Sequence, residues 1–253
     1  MADTAPAHPL HRRLDSIASR PVVQVGPGAQ LADVARLMAA RRVSCVPVVD
    51  ADGRAQGMVS EIRLLAVLRG DLPRDTPALD AAEPLLTVDG SLPCDQAWQL
   101  CLQRGVSHLG VVDAQQCLVG LVSETDFRML MHLSVLAGQH LVPSVMQPVA
   151  RVVPVEQTLQ DAARAMGLGA GASVVVVDAD GRPVGVLTAR DAARCLAMDA
   201  AAGGLPLAQV MSQPVLGIST RATLNEAADR LLALKVRHLV VLDDAGALVG
   251  MLS

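Results

Sequence analysis

Two short stretches pair a hydroxyl with a carboxylate three residues on: Ser123-Glu-Thr-Asp126 and Thr188-Ala-Arg-Asp191. Each follows a short apolar run and opens a segment with helical periodicity (ETDFRMLM, ARDAARCL). At a helix start the free backbone N–H groups and the helix dipole favour an anion, and a Ser or Thr hydroxyl adds another donor. A carboxylate one turn in can accept from both hydroxyls of a ribose, as acids do in dinucleotide folds. The same residues also make a plain helix cap, in which the hydroxyl satisfies an orphan N–H. Taken singly, either motif reads as a cap; recurrence in an ordered setting shifts the balance.

The setting does recur. Apolar runs VPVVD, LGVVD, VVVVD and LVVLD end at Asp50, Asp113, Asp178 and Asp243, spaced by 63, 65 and 65 residues. Ten residues after each stands a hydroxyl, at Ser60, Ser123, Thr188 and Ser253. Two landmarks that keep one spacing mark a fourfold internal repeat. Within each copy an early Pro (Pro21, Pro84, Pro148, Pro214) precedes a short apolar strand, then a helical stretch such as LADVARLMAARR or LNEAADRLLALK. A β-branched run, an Asp-Gly type of turn (ADGRA, DADGRP, DDAGA) and a second strand follow. A closing helix ends the copy, so the order is β-α-β-β-α. A unit of about 60 residues buries too little surface to be secure alone, which predicts pairing of repeats.

Composition narrows the chemistry. Apolar residues make up 51% of the 253, yet Trp98 and Phe127 are the only aromatics. The cores must be aliphatic, and a planar ligand would have to lie between Val, Leu or Met side chains. Net charge is −4 with Lys and Arg dispersed. With neither a basic stripe nor an aromatic platform, nucleic acid is not an expected partner. The five Cys form no CxxC pair and do not combine with the six His at metal-ligand spacing. This fits a reducing cytosol with buried thiols, and the chain is expected to be cytoplasmic. The N-terminus has no apolar signal core. Residues 129–150 lack Asp, Glu, Lys and Arg, but His, Gln and Pro interrupt them. They read as a helix followed by a turn at Pro143 rather than a membrane span. No Ser-His-Asp order, P-loop or reactive-Cys motif appears, so an enzyme is not expected.

From about residue 14 onward, the fourfold pattern resembles CBS domains, the units named after cystathionine β-synthase that also occur in IMP dehydrogenase and the γ subunit of AMP-activated kinase. The resemblance implies an α+β fold of four β-α-β-β-α repeats paired about pseudo-twofold axes into two Bateman modules. Residues 1–13 would then be a flexible tail, 14–139 the first module and 140–253 the second, with repeat 4 truncated at Ser253. It also implies an adenosine nucleotide (AMP, ADP or ATP) or another adenosyl compound as regulatory ligand, with no cofactor required. In such sites Ser/Thr-x-x-Asp is the ligand signature. Ser123 and Asp126 in repeat 2, and Thr188 and Asp191 in repeat 3, would contact phosphate and ribose. Adenine would lie near Thr87, Val106 and Ser107 in repeat 2, and near Val152, Ala172 and Ser173 in repeat 3.

The copies are not equal. Repeat 1 reads Ser60-Glu-Ile-Arg63, so a cation replaces the ribose-binding acid and that site is expected to be dead for a nucleoside. Repeat 4 stops at Ser253, before its acid and closing helix. Its uncovered strand invites association; the expected account is that the chain is a fragment of a longer protein, with a bacterial signalling domain as one candidate C-terminal effector. In repeat 4, Arg237 and His238 stand where the kinase γ subunit carries a similar pair that reaches the phosphate of an adjacent site. Arg63 could do the same for repeat 2. His108 holds the corresponding place in repeat 2. The expected function is a regulatory sensor that passes occupancy to an effector, with a homo-oligomer built through paired modules. The alternative is a ligand-free dimerisation platform.

Overall fold

The structure is a computed structural model, and it describes residues 11–130, 141–148, 151–167 and 172–252. The expected tail up to residue 10, most of the GLGAG stretch and Ser253 lie outside the described residues.

The chain is α+β, and repeats 2 and 3 carry the expected β-α-β-β-α order in full. Repeat 1 contains α1 (Leu31–Arg41), β1 (Cys45–Val49), β2 (Ala55–Ser60) and α2 (Glu61–Arg69). Its expected first strand is reduced to one parallel bridge, Val25 to Val48. Repeat 2 contains α3 (Ala78–Ala81), β3 (Leu86–Asp89), α4 (Cys94–Arg104), β4 (His108–Val112), β5 (Leu118–Ser123) and α5 (Glu124–Leu130). Repeat 3 is preceded by a turn at Val142–Ser144, which includes Pro143, and by β6 (Gln147–Pro148). It contains β7 (Val152–Pro154), α6 (Leu159–Ala165), β8 (Ser173–Val177), β9 (Pro183–Thr188) and α7 (Ala189–Met198). Repeat 4 contains α8 (Leu207–Val210), β10 (Gly217–Ser219), α9 (Leu224–Leu234), β11 (Leu239–Leu242) and β12 (Leu248–Leu252). Among the described residues no helix is long and apolar enough to cross a membrane.

The first and second strands of repeats 2, 3 and 4 run parallel, and the second and third run antiparallel. The strand run that ends each VVD lies deepest: β1, β4 and β8 are buried throughout. The Asp landmarks close the hairpins. Asp50, Asp113, Asp178 and Asp243 each accept two backbone N–H bonds from the turn through Oδ1. Their recurrence is therefore turn chemistry.

Repeats interlock in pairs by exchanging the segment that precedes the first helix. Ser19 of repeat 1 bridges Leu121 in β5, while Glu83 of repeat 2 bridges Met58 in β2. The second pair repeats the exchange: β6 pairs with β12, and Ser212 bridges Val186 in β9. A glycine sits at each crossing, at Gly57, Gly120, Gly185 and Gly250. A Cβ on any of them would lie within 3.0 Å of the incoming segment. Beneath the exchange, Leu14, Phe127, Leu109 and Val122 centre one core, and Val142, Leu239, Val241 and Leu252 another. The two aromatics are used for packing: the Trp98 and Phe127 rings lie 5.4 Å apart, tilted by 49°.

By compactness the chain divides into two units. The first contains the described residues among 1–34, 45–60 and 75–132, and the second those among 35–44, 61–74 and 133–253. Beside the expected modules 14–139 and 140–253, this division by compactness places residues 35–44, with most of α1, and residues 61–74, with α2, in the second unit. Within that unit α2 packs on α6 and α7.

Candidate functional site

The two hydroxyl–acid motifs fold alike. In repeat 2 the Ser123 N–H and hydroxyl both donate to Asp126 Oδ2 at 2.7 Å. In repeat 3 the Thr188 N–H and hydroxyl donate to Asp191 Oδ2 at 3.1 and 2.7 Å. The Asp191 N–H returns a bond to Thr188 Oγ1 at 3.3 Å, which completes a capping box. Asp191 is only 8% exposed, and its other oxygen accepts from Arg194 Nη2 at 3.2 Å.

Strand pairing brings Ser107, Ala172 and Ser173, three of the expected adenine-side residues, to these helix starts. In register, His108 faces Ser123 and Ser173 faces Thr188. The Ser107 carbonyl accepts from Glu124 N–H at 2.9 Å, and the Ala172 carbonyl accepts from Ala189 N–H at 3.0 Å. Repeat 1 makes the same join, from Glu61 N–H to Ser44 O at 3.0 Å. Each helix is thus tied to the start of the buried strand. Thr87 lies one strand over, opposite Gly110, and Val152 lies opposite Val175. Val106 packs against the repeat 2 core instead. The Ser107 hydroxyl meets His108 Nδ1 at 3.0 Å, and the Ser173 hydroxyl meets Met251 Sδ at 3.1 Å.

The expected phosphate contacts are Arg63, Arg237 and His238. Arg237 Nη2 lies 3.7 Å from Glu61 Oε2, so its charge faces a carboxylate. Arg63 is the third residue of α2, the position of Asp126 and Asp191 in their helices. His238 is half-buried immediately before β11.

Sequence reading missed three features. Glu61, 8% exposed, accepts from Arg190 Nε at 2.7 Å and faces Arg237 as well. Its only sequence signal is the Ser-Glu pair shared with Ser123-Glu124. Two further capping boxes, Thr158 with Asp161 and Thr223 with Glu226, start α6 and α9. The Thr158 box has nearly the geometry of the Thr188 box, its hydroxyl donating to Asp161 Oδ2 at 2.6 Å. What separates them is burial: the Asp161 side chain is 38% exposed and that of Asp191 12%. Arg74 is the third, donating to the Leu196 and Asp199 carbonyls at the end of α7.

A cavity of about 490 Å³ in the second unit is lined by Leu68, Leu72, Arg74, Gln160, Leu196 and Gly203 among others. None of the candidate ligand residues line it, and Arg74 there is already engaged by α7. Thiol chemistry has little support. Burial pushes the Cys101 thiol up to about 11, reinforced by the Glu124 charge, and burial also raises Cys94 and Cys195. Among the described residues no cluster of three His, Cys, Asp or Glu is placed to hold a metal.

Comparison with known proteins agrees with the repeat count. Protein MJ1225 from Methanocaldococcus jannaschii superimposes with a TM-score of 0.82 at 18% identity, covering 96% of this chain and 97% of that one. An uncharacterized conserved protein from Pyrococcus horikoshii gives 0.57 at 21% identity, covering 95% and 96%. Both likenesses are of fold. The uncharacterized protein MK0525 of Methanopyrus kandleri is 29% identical over 113 residues, which is 44% of this chain and 58% of that relative. The chain thus spans little more than half the length of that curated relative. The CBS domain model matches residues 14–70, 73–133, 142–198 and 207–253, one match per repeat, and the chain belongs to the CBS domain family.

Proposed function

We propose that this chain is a non-catalytic regulatory module that binds an adenosine nucleotide of the AMP, ADP or ATP class, or another adenosyl compound, at repeat 2, repeat 3 or both. The observation that carries this reading is the matched pair of helix starts. Asp126 and Asp191 are held by Ser123 and Thr188, and each helix is tied to the strand edge at Ser107 or Ala172. Ribose would exchange with the hydroxyl now bonded to each acid, phosphate would face the helix N–H groups, and adenine would lie along Thr87 or Val152. Occupancy would be passed to an attached or partner effector through differential affinity for two arrangements of the repeats. A homo-oligomer through paired modules and a cytosolic setting belong to the same proposal; the five free thiols suit the latter.

The platform reading draws on one observation. The Thr158–Asp161 box reproduces the motif's hydrogen bonds at a helix where no ligand is proposed.

A thermal shift screen separates the two. AMP, ADP, ATP, S-adenosylmethionine and cyclic dinucleotides are tested on the chain and on Asp126→Ala and Asp191→Ala. A ligand at a hundredfold its Kd stabilises by about 2.7 kcal/mol. A shift lost in one Asp variant assigns the sensing repeat. No shift with any compound in a folded, monodisperse sample leaves the platform.

A further inference from the structure

We infer that Glu61 is an internal stand-in for a ligand phosphate, holding Arg190 and Arg237 until a phosphorylated ligand at the start of α7 displaces it. This rests on the nucleotide reading of repeat 3 and adds its regulation.

Glu61 opens α2 of repeat 1 and is 8% exposed. Its two oxygens face two cations from other repeats: Arg190 Nε at 2.7 Å and Arg237 Nη2 at 3.7 Å. All three residues lie in the second compact unit. Arg190 is in the first turn of α7, between Thr188 and Asp191, so it flanks the proposed phosphate position.

The repeat fold does not need a carboxylate here. The matching residue of repeat 2, Glu124, pairs on its own helix with Arg128, and repeat 3 has Ala189. In repeat 1 the carboxylate is instead turned onto a pair of guanidinium groups. Carboxylate and phosphate are alternative partners for that fork. Arg190 and Arg237 side chains are 47% and 41% exposed, so an incoming anion can reach them while Glu61 stays behind. A phosphate arriving at α7 meets arginines already neutralised and a like charge beside them. The latch therefore lowers affinity for phosphorylated ligands and leaves unphosphorylated adenosyl ligands untouched.

The test measures AMP and adenosine affinities by calorimetry for Glu61→Gln and its parent, both in the Asp126→Ala background so that only repeat 3 is read. The expected result is AMP binding tightened about three- to fivefold with adenosine unchanged, a factor in keeping with one partly exposed charge pair. Unchanged or weaker AMP binding, or an equal gain for adenosine, overturns the latch. Inorganic phosphate, followed by the Tm of the same two proteins, separates the two readings. Should AMP bind neither protein, phosphate stabilisation confined to Glu61→Gln keeps the latch and removes the nucleotide from repeat 3. Equal phosphate effects remove the latch. If Glu61→Gln loses its circular dichroism signature, Glu61→Asp, one methylene short of Arg190, is read by the same criteria with a smaller gain.

Discussion

Asp161 and Asp191 carry the same hydrogen bonds to a threonine, so geometry at the motif is not what makes an acid available to a ligand. Burial differs, and so does the strand edge behind it: Thr188 faces Ser173, while Thr158 belongs to a loop–helix junction bridged to Pro206. The Thr158 hydroxyl first, and its N–H second, hold the Asp161 carboxyl below the ordinary carboxylate range. A carboxyl lowered in the fold contributes stability that is full above its unfolded value and is lost as pH falls through the folded one. Thr158→Ala should therefore cost about 1 kcal/mol near neutrality, the worth of an N-cap, and flatten the acid limb of the stability profile. Urea unfolding between neutral and acid pH checks this; a parallel offset at all pH values would show that the box does not act through Asp161. At this scale the sequence was legible where a type recurred, as with the two Ser/Thr-x-x-Asp motifs. Glu61 was not, because its partners Arg190 and Arg237 come from repeats far along the chain, and no local spacing records them.

The hairpins show how fully an element can be written in a sequence. Three of the four turns place glycine in the left-handed region, at Gly53, Gly181 and Gly246 with φ of 81°, 76° and 79°. Repeat 2 has Gln116 at the matching position with φ of 64°, and its N–H still bonds the Asp113 carbonyl at 3.0 Å. An L side chain in that conformation costs about 1 kcal/mol or more, partly offset by the extra entropy of an unfolded glycine. Gln116→Gly should then stabilise the fold by about 0.5 kcal/mol, read as a higher denaturation midpoint; a lower midpoint would mean the side chain earns its place through contacts. Helix and strand order was legible because periodicity and Asp-Gly turns are local signals. The first strand of repeat 1 was not: VVQV has the composition of a strand, but only Val25 engages the neighbouring chain.

At the scale of the whole molecule, the pairing of repeats was expected from their small size, and the mechanism of pairing was hidden. It depends on glycines that look incidental in QGMVS, LVGLVS, PVGVLT and LVGML. Their spacing follows the other landmarks, yet a glycine inside a strand signals close approach only once the approaching backbone is known. The crossings differ in what a new methyl would meet. At Gly250 it would meet the Gln147 carbonyl oxygen at 2.7 Å, part of the β6 backbone that pairs with β12. At Gly185 it would meet the side chain of Met211, which has rotamers to spare. Gly250→Ala should cost about 1–3 kcal/mol by forcing β6 off β12, and Gly185→Ala less than about 1 kcal/mol. Hydrogen exchange adds a spatial readout, with faster exchange at the Met251 amide, opposite Gln147 of β6, expected for Gly250→Ala. Equal costs at the two sites would mean that the exchanged segments are held elsewhere, and that the glycines only permit the crossing.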